Sequence, residues 1–245
     1  MESREPIAGR APKGFYPALG LFCLALSLYA FARSPFFSLS RFEVRGSRTL
    51  SAGEIAELAG MRYGSNLFEL DLRAAERRLR EHPRIASAHL VRDLPRGVIA
   101  SIVEREPVGQ IETGSGWMAV DGQGRVLGPV RPADDGLPRI VVATPPSTLE
   151  PGSQIDLPDL LGAIQIAAHC MSAWPGRFSE IRAVRPDEIV GITRDGIRVE
   201  FGTSGQAAAK VAALQLVLDA ARREGIAVAS VNVRTPRAPA VRAVP

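Results

Sequence analysis

Residues 64–109 read GSNLFELDLRAAERRLREHPRIASAHLVRDLPRGVIASIVEREPVG, and the spacing of their apolar positions decides the fold. From Asp71 onward the period is helical. Leu72, Ala75 and Leu79 fall on one stripe, and Arg73, Glu76, Arg77 and Arg80 fall on the opposite, wet face. Asp71 stands where an N-cap carboxylate accepts a first-turn N–H. His82-Pro83 ends the helix, because the residue before a proline disfavours the helical region. The period then drops to two: Ala86, Ala88 and Leu90, followed by Val98, Ala100 and Ile102, alternate with polar neighbours. This predicts strands over 85–92 and 98–104, joined by the breaker-rich turn Asp93-Leu94-Pro95-Arg96-Gly97.

Toward the amino terminus, Phe37, Leu39, Phe42 and Val44 suggest a strand with one irregularity, ended by Gly46-Ser47. Ser51-Ala52-Gly53-Glu54 fits a capping box. Ile55, Leu58 and Ala59 give the following short helix its apolar face, and Gly60 stops it. The order strand, helix, helix, strand, strand predicts a three-stranded sheet with two helices on one face.

Further out, residues 14–32 read GFYPALGLFCLALSLYAFA without a charge, between Lys13 and Arg33. As a helix this run spans about 28 Å, close to the hydrocarbon thickness of a bilayer. A helix satisfies its own backbone groups in lipid. Phe15, Tyr16, Tyr29 and Phe31 cluster at its ends, where aromatic rings favour the interface. The expectation is one uncleaved transmembrane helix after a cytoplasmic tail of residues 1–13, with the body exported. A removable leader is the alternative, with Arg4, Arg10 and Lys13 before the apolar run and Ala30-Phe31-Ala32 as a small-x-small cleavage site.

In the other direction, Gly116-Trp117-Met118-Ala119-Val120 and Arg125-Val126-Leu127 flank Asp121-Gly122-Gln123-Gly124 and read as a hairpin. Gly122, Gly124 and Gly128 do not have phosphate-loop spacing, and no helix follows them. Residues 137–142 supply a strand and 144–151 a loop. Leu160, Leu161, Ile164, Ala168 and Met171 mark an amphipathic helix. Strands over 181–184, 189–193 and 197–201 follow, the last two joined by Arg194-Asp195-Gly196. In the helix over 206–224, Val211, Leu214, Leu218 and Ala221 form the inward stripe, while Lys210, Asp219, Arg222 and Arg223 face out. A last strand over 226–234 and a Pro-rich tail complete a second α+β domain, expected to hold an antiparallel sheet.

Composition excludes several function classes. The chain has 30 Lys and Arg against 26 Asp and Glu, a net of +4 with both signs mixed. That is no stripe for nucleic acid. Its two cysteines, Cys23 in the apolar run and Cys170 in the body, form no disulfide framework or metal spacing. His82 sits at a helix end, where a cation complements the dipole. His89 lies on the polar face of its strand, and His169 shares a face with Gln165 and Ser172. No HExxH, GxSxG or SxxK occurs. Cys170 beside Met171 reads as a small core residue. Alternate residues of Glu104-Arg105-Glu106 face opposite ways, so these charges pair across a sheet or meet water. No catalytic residue, cofactor site or metal site emerges, and the expectation is a protein that is not an enzyme.

The residues of the opening stretch also carry a resemblance. Gly64, Asn66, Leu67, Phe68, Pro83, Ile85, Ala88, Arg92, Pro95, Glu104, Arg105 and Pro107 stand at the marked positions of the POTRA module of the FtsQ/DivIB cell-division family. Trp117, Val120, Asp121, Gly124 and Val126 resemble what that family shows directly after the module. The resemblance implies a POTRA domain (β-α-α-β-β) over 36–107 and an FtsQ-type β domain over 110–242. It implies a single-pass inner-membrane protein with a periplasmic body at the division septum. The implied role is a non-enzymatic scaffold that links early and late division proteins and binds small bitopic coiled-coil partners of the FtsB and FtsL kind. In that family the docking surface is the last strand, helped by the helix before it. The family's hydrophobic-Asp-hydrophobic-Arg falls on Val231-Asn232-Val233-Arg234, which places the docking strand at 235–241. The site residues expected on this basis are Arg234, Thr235, Arg237, Ala238, Ala240 and Val241, among which Pro236 and Pro239 lack N–H donors. The alternative is a POTRA-bearing export or outer-membrane assembly factor that binds extended client segments. Such a factor needs an outer-membrane barrel or a translocase as partner, since this chain has no series of alternating barrel strands of its own.

Overall fold

The computed structural model describes residues 15–114, 116–130, 136–185 and 187–244, and the expected tail 1–13 and Gly14 lie outside them. The described chain divides into two compact units, one running to Leu79 and including Ala88–Ile102, the other made of Arg80–Ser87 and Val103 onward.

In the first, helix α1 (Phe15–Ala32) leads into a 3-10 turn at Pro35–Phe37 and strand β1 (Arg41–Arg45). Among the residues with described side chains, which begin in α1 at Pro17, no helix is long and apolar enough to cross a membrane. Phe37, expected in a strand, belongs instead to the turn, because Pro35 presets a helical φ there. Helix α2 (Ala52–Ala59) starts on the expected capping box: Ser51 Oγ accepts from Glu54 N at 3.2 Å, and Ser51 N donates to Glu54 Oε2 at 2.8 Å. It buries Ile55, Ala56 and Ala59, while Leu58 stays exposed. Gly60 ends it at φ +69°, a conformation that a side chain strains.

Helix α3 (Leu72–Glu81) is capped by Asp71, whose Oδ1 accepts from Ala74 N at 2.9 Å, and it buries the expected Leu72, Ala75 and Leu79. Strands β2 (Ile85–Asp93) and β3 (Gly97–Glu104) complete a sheet of order β1-β3-β2, with β1 parallel to β3. Val98, Ala100 and Ile102 are buried as expected. In β2 the inward positions are Ile85, Ala88 and Leu90, and Ala86 faces water.

The second unit is built on nine strands. They are β4 (Pro107–Thr113), β5 (Gly116–Asp121), β6 (Val126–Val130), β7 (Arg139–Val142), β8 (Phe178–Arg185), β9 (Glu188–Thr193), β10 (Arg198–Gly202), β11 (Val228–Asn232) and β12 (Ala240–Ala243). Their order is β12-β11-β10-β9-β8-β7-β4-β5-β6. The expected antiparallel sheet is in fact mixed: β4–β7, β7–β8 and β10–β11 pair in parallel. The reason is the position of the helices. α4 (Pro158–Ala173) connects β7 to β8, α5 (Ala207–Arg223) connects β10 to β11, and a helical crossover returns the chain in the same direction. α4 packs on β8, β7 and β4 and also on α5, which lies against β11. With two surfaces covered, α4 buries Leu160, Ala163, Ile164, Ile166, Ala167 and Cys170, a wider face than the expected single stripe.

Candidate functional site at the open edge of the large sheet

A sheet edge exposes a row of unpaired N–H and C=O groups, and natural proteins cover or blunt it. The edge at β6 is closed in both ways. Pro129 lacks a donor, and the loop beyond it lies against β6: Gly152 N donates to Val126 O at 2.7 Å and Val126 N to Ser153 O at 3.0 Å. The edge at β12 has no such cover among the described residues. All four of its residues are exposed, and none is proline. β12 runs antiparallel to β11 with Val241 opposite Val231 and Ala240 opposite Asn232. Val231 is fully buried, so the inner partner is anchored while the outer strand is free.

Of the strand expected over 235–241, only the part from Ala240 onward is extended and paired. Only Ala240 and Val241 of the expected site residues lie in β12, which continues through Arg242 to Ala243. Thr235, Arg237 and Ala238 lie in the turn between β11 and β12, where Ala238 N donates to Thr235 O at 3.1 Å. Pro236 and Pro239 belong to that turn and precede the strand, so they do not interrupt its ladder. Arg234, Arg237 and Arg242 make this end of the sheet cationic, and no acidic residue occurs between Val233 and Val244.

Beneath the edge lies a small polar network. Asn232 Nδ2 donates to Glu200 Oε2 at 3.1 Å, its Oδ1 accepts from Arg234 N at 3.0 Å, and Arg234 approaches the same Glu200 at 3.9 Å. The nearby helix α5 contains the largest departure from expectation. Lys210, placed outward on the helical wheel, is 3% exposed, and its Nζ donates to Thr203 O at 2.7 Å. Burial pulls its amine below the usual lysine value.

Among the described residues the other titratable groups do not assemble into a reactive set. Cys170 is buried, which pushes its thiol up and leaves it a core residue. His89 Nδ1 lies 3.0 Å from Glu76 Oε1, and His169 is exposed. Among the described residues no His, Cys, Asp and Glu cluster could hold a metal ion. Arg105 makes the cross-sheet charge pair expected of the Glu104-Arg105-Glu106 run, with a partner that the sequence did not name. It pairs with Asp121 at 2.7 Å, both largely buried, while Asp121 Oδ1 accepts from Gln123 N and Arg125 N and shapes the β5–β6 turn.

Two family models match this chain: the POTRA domain, FtsQ-type, over residues 37–105, and Cell division protein FtsQ/DivIB, C-terminal, over residues 110–234. The chain belongs to the FtsQ/DivIB family. It is 30% identical over 227 residues to the Cell division protein FtsQ of Streptomyces venezuelae, covering 90% of this chain and 80% of that one. It is 29% identical over 213 residues to the protein of that name from Streptomyces griseus, with 86% and 99% covered. Against the Geotalea daltonii protein of that name it is 29% identical over 193 residues, with 74% and 67% covered.

In this FtsQ/DivIB chain the Asn232 side chain suits the Glu200 carboxylate beside it. An amide donates to the Glu200 carboxylate, whereas a second carboxylate there would repel it. Lys210 yields a pH prediction. The folded amine releases its proton at lower pH than the unfolded one, which titrates near 10.5. Between those two values the unfolded chain binds more protons, so this group's contribution to stability rises with pH. Lys210→Met removes that contribution. The melting temperature of the variant minus that of the parent is expected to fall as the pH rises through the range below 10.5 in which only the unfolded amine keeps its proton. A difference that stays flat across that range would show the amine to be solvated.

Proposed function

We propose that this protein is a non-enzymatic scaffold of the division machine, joining early and late division proteins at the septum through the open β12 edge. The observation that carries this reading is an asymmetry: one end of the nine-stranded sheet is covered and interrupted by proline, the other is exposed and regular. A partner segment in extended form adds to such an edge by main-chain hydrogen bonds. The partners are small bitopic coiled-coil proteins of the FtsB and FtsL kind, and the arginines at 234, 237 and 242 select a segment rich in carboxylates. The uncharged run 14–32 is the single span, with the tail 1–13 in the cytoplasm and the body in the periplasm. In support of the span, the described residues of α1 are exposed from Pro17 to Phe31 although they are largely apolar.

The test is site-specific photocrosslinking in the native cell, with probes at Ala240 and Arg242 and a control at His169. Crosslinks from the two strand positions to a small bitopic coiled-coil protein, absent at the control, are the expected result. Crosslinks instead to unfolded outer-membrane clients would replace this reading with the export one.

A further inference from the structure

The end of α1 is locked onto the module that follows it, with only the short 3-10 turn Pro35–Phe37 between them. Three backbone bonds pair the exit segment with the loop around Asn66: Leu67 N to Phe37 O at 2.9 Å, Leu39 N to Ser65 O at 2.8 Å and Gly64 N to Leu39 O at 2.8 Å. Asn66 then reaches past them. Its Nδ2 donates to Ala32 O at 2.7 Å, satisfying a carbonyl that the helix end leaves without a partner. Its Oδ1 accepts from Phe68 N at 2.9 Å, so one side chain fixes both the helix end and the loop. Arg33 pairs with Glu69 at 3.1 Å. Four rings run across the joint: Phe31 to Phe37 at 5.2 Å, Phe31 to Phe36 at 5.9 Å and Phe37 to Phe68 at 4.9 Å between centroids.

These contacts fix which end of the module faces the helix. β1 and β3 both begin at that end, since Ser40 N donates to Arg96 O at 2.9 Å and Arg41 pairs with Gly97. The turn before β3 therefore also lies there. Phe36, Tyr63, Phe68 and Leu94 are about half exposed or more, and Arg33 and Arg62 are exposed beside them. Aromatic rings and leucine mixed with arginine form the pattern that settles at a lipid headgroup boundary, where rings enter the acyl edge and guanidinium groups meet phosphate.

We propose that this end of the module is a membrane-interface contact, seated by the 63–69 loop on the headgroup layer of the bilayer that α1 crosses. The inference rests on the reading of α1 as a span. The occupant is lipid because the patch is continuous with α1: Phe31 on the helix touches Phe36 and Phe37, so whatever surrounds the helix end also meets Phe36 and Phe68. The clamp at Asn66 leaves no slack linker by which the module could lift away.

The experiment uses the full chain reconstituted in bilayers whose lipids are brominated either near the headgroup end or near the methyl end of the acyl chains. Phe68→Trp and Phe36→Trp are read as the fluorescence added to the parent, and Leu24→Trp at mid-helix serves as the reference for the span. Both interface tryptophans are expected to be quenched about twofold or more by the shallow bromines and far less by the deep ones. Leu24→Trp is expected to show the reverse. Quenching of Leu24→Trp without quenching of the other two would overturn the seating while leaving the span intact. No quenching of Leu24→Trp by either lipid would remove the span, and the seating with it.

Discussion

Val241→Pro is expected to abolish crosslinking from Ala240 and Arg242 while leaving the melting temperature of the chain within a few degrees of the parent. Every residue of β12 is exposed, so the substitution uncovers no core. The effect is confined to the ladder. If the Val241 N–H points toward β11, its loss detaches the middle of β12 at the Val231 pair. If it points outward, its loss removes a donor that an added strand needs. Each main-chain bond contributes only about 1 kcal/mol, but a short augmenting segment depends on several in register. Disrupting one of the two middle residues of four removes them together, and capture is expected to fall by about a hundredfold or more, equivalent to roughly 3 kcal/mol. Val241→Thr keeps the N–H and the β-branched shape and is expected to bind like the parent. Undiminished capture by Val241→Pro would show that the partner docks elsewhere.

The same edge shows what the sequence made legible and what it concealed. Helix caps and the one-sided stripe of α3 are legible, because there neighbours in the chain are also neighbours in space. The Ser51–Glu54 box, the Asp71 cap and the stripe Leu72, Ala75, Leu79 are all of that kind. Long-range pairing was not legible. No strand is expected between Glu104 and Gly116, yet β4 lies there, held by β5 on one side and β7 on the other. The parallel pairs follow from α4 and α5 acting as crossovers, a property of topology that alternation along one strand does not carry. The two prolines near the carboxyl end were visible, but whether they sat inside a strand or in the turn before it depended on where β11 stopped. Lys210 was misplaced because helical spacing gives a direction around the axis and not what lies there; Thr203 O occupies that side. Arg105 and Asp121, far apart in a linear reading, meet because β4 and β5 form a hairpin.

Phe201→Ala is expected to be the most destabilising single change in the large sheet, lowering stability by about 3–5 kcal/mol. Phe201 in β10 and Phe178 in β8 are at most 1% exposed, and their rings lie 6.1 Å apart across β9. Between them β9 carries Gly191, paired with Ile181 on one side and Val199 on the other. A Cβ at that position would lie 2.8 Å from Phe178 Cε1 and 2.9 Å from Phe201 Cε2, so the glycine is what lets the two rings share the space. Removing one ring leaves a void that the paired strands on both sides prevent from collapsing. Since a domain of this size is held by only about 5–15 kcal/mol, the loss is a large share of the whole. The denaturant midpoint is expected to fall with an unchanged slope. A double-mutant cycle tests the cause. Gly191→Ala alone overpacks and is expected to destabilise by about 1–3 kcal/mol. In the Phe201→Ala background the same methyl enters the void, and its effect is expected to shrink or change sign. Simple additivity of the two changes would mean that the rings do not share the space over Gly191, and the account of this core would fail.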